Sequence, residues 1–200
     1  MFSYSKIDCY IECPRKYKHR YIDKIKEPEN IYLEFGTNFH NSIKERKSDN
    51  PIIDNMVSAL YNDEEFKKYE KRIKEFELKV FYEFEGEEFI SIFDAVGDDF
   101  ILEFKSSKSE WTEEMFRKEL QSSVYLNACS ITNPEIKKLV YFIVTKEEQT
   151  KVQFREVFLS EEKTDIIKNT IKAIKADTEF NCKKNKYCFF CPFYRGCPMK

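Results

Sequence analysis

Ile7, Tyr10, Ile11, Tyr17 and Tyr21 recur at helical spacing between Ser5 and Ile22, and Pro14 is expected to break this stretch into two short helices. Leu33, Phe35, Phe39 and Ile43 predict a further helix, and residues 51–61 and 63–76 two more, the second highly charged. The period then changes. Residues 77–84, 88–96 and 100–107 alternate or run apolar, rich in β-branched and aromatic residues, and predict three successive strands. Glu85-Gly86 and Gly97-Asp98-Asp99 stand where hairpin turns are expected. A helix from Thr112 to Cys129, strands at 138–145 and 151–158, and a helix from Ser160 to Ala176 complete an α/β order with a mixed central sheet flanked by helices. From Phe180 onward the chain reads as irregular and rich in cysteine.

Composition narrows the picture. The 200 residues are 42% apolar and 35% charged, too hydrophobic for wholesale disorder and too polar for a membrane protein. With four glycines, six prolines and no internal repeat, one continuous domain is expected. No apolar run approaches the ~20 residues of a transmembrane helix, and the start MFSYSKIDCY lacks the layout of a signal peptide. The expectation is a soluble cytoplasmic protein with no membrane partner. A net charge of −2 argues against coating nucleic acid by bulk electrostatics, while leaving room for a local basic groove. Seven cysteines, four of them in the last nineteen residues, read as metal or cluster ligands before disulfides.

The first candidate chemistry lies on the second predicted hairpin. Asp94 interrupts an apolar strand, and the next strand carries Glu103 and Lys105 among Ile101, Leu102 and Phe104. Alternation puts Glu103 and Lys105 on one face, and the hairpin brings Asp94 towards Glu103. Burying two carboxylates together costs several kcal/mol unless a cation neutralises them, and oxygen ligands suit Mg²⁺ or Mn²⁺. The alternative is that Asp94 is a turn residue and Glu103–Lys105 a surface ion pair on an edge strand.

An ordered series of motifs decides between them: CPRKY at 13–17, GTNFH at 36–40, the Asp94 strand, EFK at 103–105, QSSVY at 121–125 and the C-terminal cysteines. Together they resemble the RecB-like branch of the PD-(D/E)xK nuclease superfamily over nearly the whole chain. The resemblance implies a restriction-endonuclease-like core within one nuclease domain spanning 1–200. Its helical N-terminal part would cover 1–76, its sheet core 77–159, and its C-terminal helix and cysteine region, packed against the N-terminal helix, 160–200. It implies further that His40, Asp94, Glu103 and the carbonyl of Phe104 hold a divalent metal while Lys105 orients or activates the attacking water. Gln121 and Tyr125, four residues apart on one helix face, would contact nucleic acid; the plainer reading makes them the border and core of an amphipathic helix. Lys44 and Glu45 depart from the family pattern, as does the lack of a proline before Asp94, and both put a second metal in doubt.

Cys188, Cys191 and Cys197 have the spacing C-x2-C-x5-C and need a fourth ligand. In the resembling nucleases that carry iron and sulfur this is the position of Cys13, which implies a [4Fe-4S] cluster tying the chain ends together. The alternative is Cys182 and a structural zinc ion. Cys9 and Cys129 are expected to be buried free thiols. Size and cysteine layout resemble the CRISPR-associated RecB-like exonucleases and their viral relatives, which process single-stranded DNA or overhangs, commonly from the 5′ end. A helicase or CRISPR-adaptation partner would then supply any unwinding. Arg15, Lys16, Lys18, His19 and Arg20 form either a solvated helix face or a strip of phosphate contacts, in which Arg15 and Arg20 would bind the strand. Trp111, Phe116 and Tyr125 could offer stacking surfaces. Rival readings are a catalytically idle DNA-binding module and a zinc-stabilised nucleic-acid binder.

Overall fold

The computed structural model describes residues 1–28 and 31–198, with the backbone alone for 31–33, so the side chain of Leu33 lies outside the described residues. Five strands form one mixed sheet in the order β1 (Glu75–Phe84), β2 (Glu87–Val96), β3 (Phe100–Ser107), β4 (Lys138–Thr145), β5 (Val152–Phe158). All neighbours are antiparallel except β3 and β4, which run parallel. A parallel pair needs a crossover, supplied by α6 (Glu113–Lys118) and α7 (Gln121–Thr132).

Both faces of the sheet are covered. On one, α3 (Ile31–Glu45), α4 (Pro51–Asn62) and α5 (Glu64–Glu70) bury Phe39, Met56 and Phe66 against Leu102, Phe104 and Phe142. On the other, α1 (Tyr4–Glu12), α7 and α8 (Glu161–Ala176) pack Ile7, Val124 and Ile171 against Phe93, Ile101 and Tyr141. Each such side chain contributes about 1.5–3 kcal/mol of transfer free energy. The central strands β3 and β4 are therefore apolar on both faces, which is why they read as continuous hydrophobic runs.

Local signals set the boundaries. Asn50, Asp63 and Ser160 accept hydrogen bonds from the first turns of α4, α5 and α8, and Pro51 opens α4. Glu85 and Gly86, both with positive φ, make the tight β1–β2 turn. After α1, Pro14 starts the four-residue α2 (Pro14–Tyr17), which runs into a π-helical turn at Lys18–Ile22. Two predicted boundaries move. The charged helix expected over 63–76 ends at Glu70, because Lys74 N–H already joins the sheet through Val96 O at 2.8 Å. The single helix expected over 112–129 is two, broken at Glu119, whose backbone is extended. Among the described residues no helix is long and apolar enough to cross a membrane.

Candidate active site

The β2–β3 ladder is short. It pairs only Ala95 with Leu102 and Val96 with Ile101, although continuation of that register would set Asp94 opposite Glu103. The strands part where the two acids begin. The opening frees the Phe104 N–H, and Asp94 satisfies it: Oδ2 accepts that bond at 2.8 Å. The other carboxylate oxygen lies 3.1 Å from His40 Nδ1, delivered by α3 from the opposite layer. Further along, β2 takes Phe2 as its neighbour instead, with Ile90 N–H donating to Phe2 O at 2.9 Å, so α1 begins beside the gap.

Glu103 is 2% exposed, in a central strand, so the edge-strand reading does not hold. On the same face, Lys105 Nζ donates to Glu103 Oε1 and to Gln121 Oε1, each at 2.6 Å. Gln121 Nε2 donates to Glu103 Oε1 at 2.7 Å and to Tyr125 Oη at 2.9 Å. Glu103 Oε2 is buried without any hydrogen-bond partner. Burial, then the charge of Asp94, push the Glu103 carboxyl up to about 7 against the opposing pull of Lys105. Burial alone would lower Lys105 and His40, but Glu103 and Asp94 respectively outweigh it and hold both cations above their ordinary values.

Thus the structure brings His40, Asp94, Phe104, Glu103, Lys105, Gln121 and Tyr125 to one place. Phe104 contributes its N–H to Asp94. Gln121 and Tyr125 are both buried and point inward, joined to each other and to Glu103, instead of forming an open contact surface. Among the described residues no three His, Cys, Asp or Glu side chains converge as a ready-made metal site. The reason is visible in the bonding: Asp94 is engaged by His40 and Phe104, and Glu103 Oε1 by Lys105 and Gln121. The donor set nonetheless suits a hard divalent ion, with an orphaned buried carboxylate oxygen facing a second acid's charge.

Two positions near the site, Glu119 and Glu77, were not read from sequence. Glu119 accepts the N–H groups of Gln121 and Ser122 and so starts α7. Its signal, an acid just before a helix, was hidden because the pattern ran through it. Lys44 and Glu77 pair at 2.7 Å and line a small cavity with His40 and Asp94. Glu77, between the paired Phe76 and Leu78 of β1, has φ +56, a left-handed value unusual for this residue.

At the chain ends, Cys13, Cys182, Cys188, Cys191 and Cys197 line one small cavity of about 30 Å³. Both candidates for the fourth ligand are thus present. Cys182 Sγ lies 3.5 Å from Cys197 Sγ, and Cys13 Sγ accepts the Lys183 N–H at 3.4 Å. Cys9 and Cys129 are buried free thiols. The basic stretch after Cys13 is largely self-neutralised: Lys16 pairs with Glu12, Lys18 and His19 with Asp23, and Arg20 with Glu27. Arg15 Nε is buried without a partner. Of the stacking candidates, Phe116 and Tyr125 are buried and Trp111 is packed between Phe116 and Tyr141.

Comparison with known proteins agrees with this fold. The model of the PD-(D/E)XK nuclease superfamily matches residues 1–72 and 51–198. The crystal structure of a "Putative exonuclease" from Eubacterium rectale superposes with a TM-score of 0.65 at 12% identity, covering 88% of this chain and 77% of its own. That of SSO0001 gives 0.58 at 16% identity, covering 98% and 85%. At such identities the likeness is one of fold. No curated protein sequence matches the chain.

Proposed function

We propose that this chain, which belongs to the PD-(D/E)XK nuclease superfamily, is a metal-dependent deoxyribonuclease, an exonuclease acting on single-stranded DNA or overhangs with 5′ to 3′ as the favoured sense. The observation that carries the reading is Glu103 Oε2: a buried acidic oxygen with no partner, beside a second acid. Evolution of a core to this density leaves few such atoms, since each costs about 1–3 kcal/mol or more. His40, Asp94, Glu103 and the Phe104 carbonyl would hold Mg²⁺ or Mn²⁺. When bound, such an ion polarises the scissile phosphate and acidifies a water.

The chain's own residues do the rest. Lys105, held by Glu103 and Gln121 and kept protonated by the charges of Glu103 and Asp94, supplies a fixed cation for charge developing on the phosphate. In that state it orients water and does not accept a proton. Gln121 fixes both Glu103 and Lys105, so α7 sets the geometry of the β3 pair. For the cysteines we infer an inorganic centre on Cys13, Cys188, Cys191 and Cys197, a [4Fe-4S] cluster first and zinc second, a reading supported by these four residues lining one cavity. A brown protein with broad visible absorbance supports the cluster; a colourless one with one zinc per chain replaces it.

The test is degradation of end-labelled single-stranded, duplex and overhang DNA, with an RNA strand alongside, in Mg²⁺ or Mn²⁺. Wild type shortens single strands from one end; Glu103→Ala and Lys105→Ala, folded by circular dichroism, lose at least a hundred-fold in rate. Undiminished cleavage by both variants would assign the activity to a contaminant.

A further inference from the structure

We propose that a single DNA strand reaches the Glu103–Lys105 site along a groove that starts at the exposed aromatic residues Tyr187 and Phe190. The meaning of the groove's inner end rests on the nuclease reading; the binding it predicts does not. Three open cavities, of about 270, 360 and 650 Å³, adjoin one another. Tyr4 lines the first two, and Asp8, Lys118 and Tyr187 line the last two, so each cavity shares a wall with the next. The groove's inner end is walled by Tyr4 and Tyr125, and Tyr125 is bonded to the Gln121 that holds Glu103 and Lys105. Its outer end is lined by Lys183, Tyr187 and Phe190.

Charge argues for a nucleic acid as the occupant. The chain carries −2 overall, yet residues 180–200 contain five Lys and Arg and no acid. Among the described residues Lys183 and Lys186 form no ion pair: Lys183 Nζ donates to Ile11 O and Lys186 lies over the Tyr187 ring. The acids of the groove are mostly engaged already. Glu12 pairs with Lys16, Glu114 with Lys118, and Glu119 accepts the α7 amides, which leaves Asp8, whose carboxyl burial pushes up. The outer cavity is lined by Lys16, Lys118 and Lys183 against Asp8 and Glu12, so cations outnumber acids at the mouth.

Aromatic exposure argues for a single strand. Phe190 is 82% and Tyr187 53% exposed, in a chain whose other groove-lining aromatics are packed. Free bases have faces to lay on such rings, worth about 1–3 kcal/mol per base, whereas duplex bases are stacked on one another.

The test is fluorescence anisotropy with labelled oligo(dT) and a hairpin duplex of equal length, without added divalent ion so that the strands stay intact. Tyr187→Ala/Phe190→Ala weakens oligo(dT) binding at least ten-fold and leaves the duplex unchanged; Tyr187→Phe/Phe190→Trp binds like wild type. Lys183→Ala/Lys186→Ala lowers the salt slope of single-strand binding by about 0.7 for each lysine. Unchanged affinity in the alanine pair, equal loss on both substrates, or failure of the aromatic pair to restore binding overturns the proposal. Cleavage with binding indifferent to these residues removes the groove and keeps the nuclease; binding through them without cleavage does the reverse.

Discussion

A carboxyl group as enclosed as that of Glu103 gains a proton more easily in the folded chain than in the unfolded one, and this has a measurable sign. Between its ordinary value of 4.5 and about 7 the native state binds the extra proton, so stability falls as pH rises through that window. His40, held above its ordinary value, adds a slope of the same sign above pH 6.5. Melting the protein without added divalent ion at pH 5 and pH 7.5 should therefore show a loss on the order of 3 kcal/mol on raising the pH, several degrees in Tm, from Glu103 alone. In Glu103→Gln that part of the slope disappears, and an unaltered slope would show that Glu103 does not titrate there. Much of this cluster was legible, because strand alternation alone sets Glu103 beside Lys105. Its burial was not, since it depends on β4 and α7 covering β3. Nor could the sequence reveal that Arg20 is claimed by Glu27, a pairing made only by the turn of the chain between them.

Elements, in turn, hold those residues at the right distance. The order of helices and strands was readable from the change of period after residue 76, but the break at Glu119 was not: the apolar spacing runs straight through it, and only the fold makes the Glu119 side chain the acceptor for the free amides of α7. Glu119→Ala should cost about 1–2 kcal/mol in denaturant unfolding and, by loosening Gln121, lower the cleavage rate as well. Glu119→Gln, which keeps an acceptor oxygen, should retain most of both. At the other end of β3 the turn is set by Gly97. A Cβ there would come within 2.3 Å of the Phe100 ring and 2.9 Å of Arg72 O. Phe100 is fully buried and cannot swing away, so Gly97→Ala should destabilise by roughly 1–3 kcal/mol, read as a lower urea midpoint at unchanged slope.

Across the whole molecule the two chain ends are fastened together, and the length of that closure distinguishes the two candidates for the fourth thiol. Tyr10 Oη donates to Asp177 at 2.7 Å, Tyr17 stacks on Phe180 at 6.1 Å, and Lys183 N–H reaches Cys13 Sγ across 170 residues of sequence. The spacing of the last three cysteines called for a fourth ligand, for which the resemblance favoured Cys13 over Cys182, and both line the same cavity. Stability separates them. A centre that includes Cys13 closes nearly the entire chain and restrains the unfolded ensemble by about 5 kcal/mol, against about 3 kcal/mol for one closed within the tail. If Cys13 is the ligand, Cys13→Ser and removal of the metal should each lower Tm by on the order of 10 °C, while Cys182→Ser changes it little and leaves the metal content intact. Loss of metal in Cys182→Ser with a nearly normal Cys13→Ser would place the centre inside the tail, and the chain ends would then be held by the hydrogen bonds and ring contacts alone.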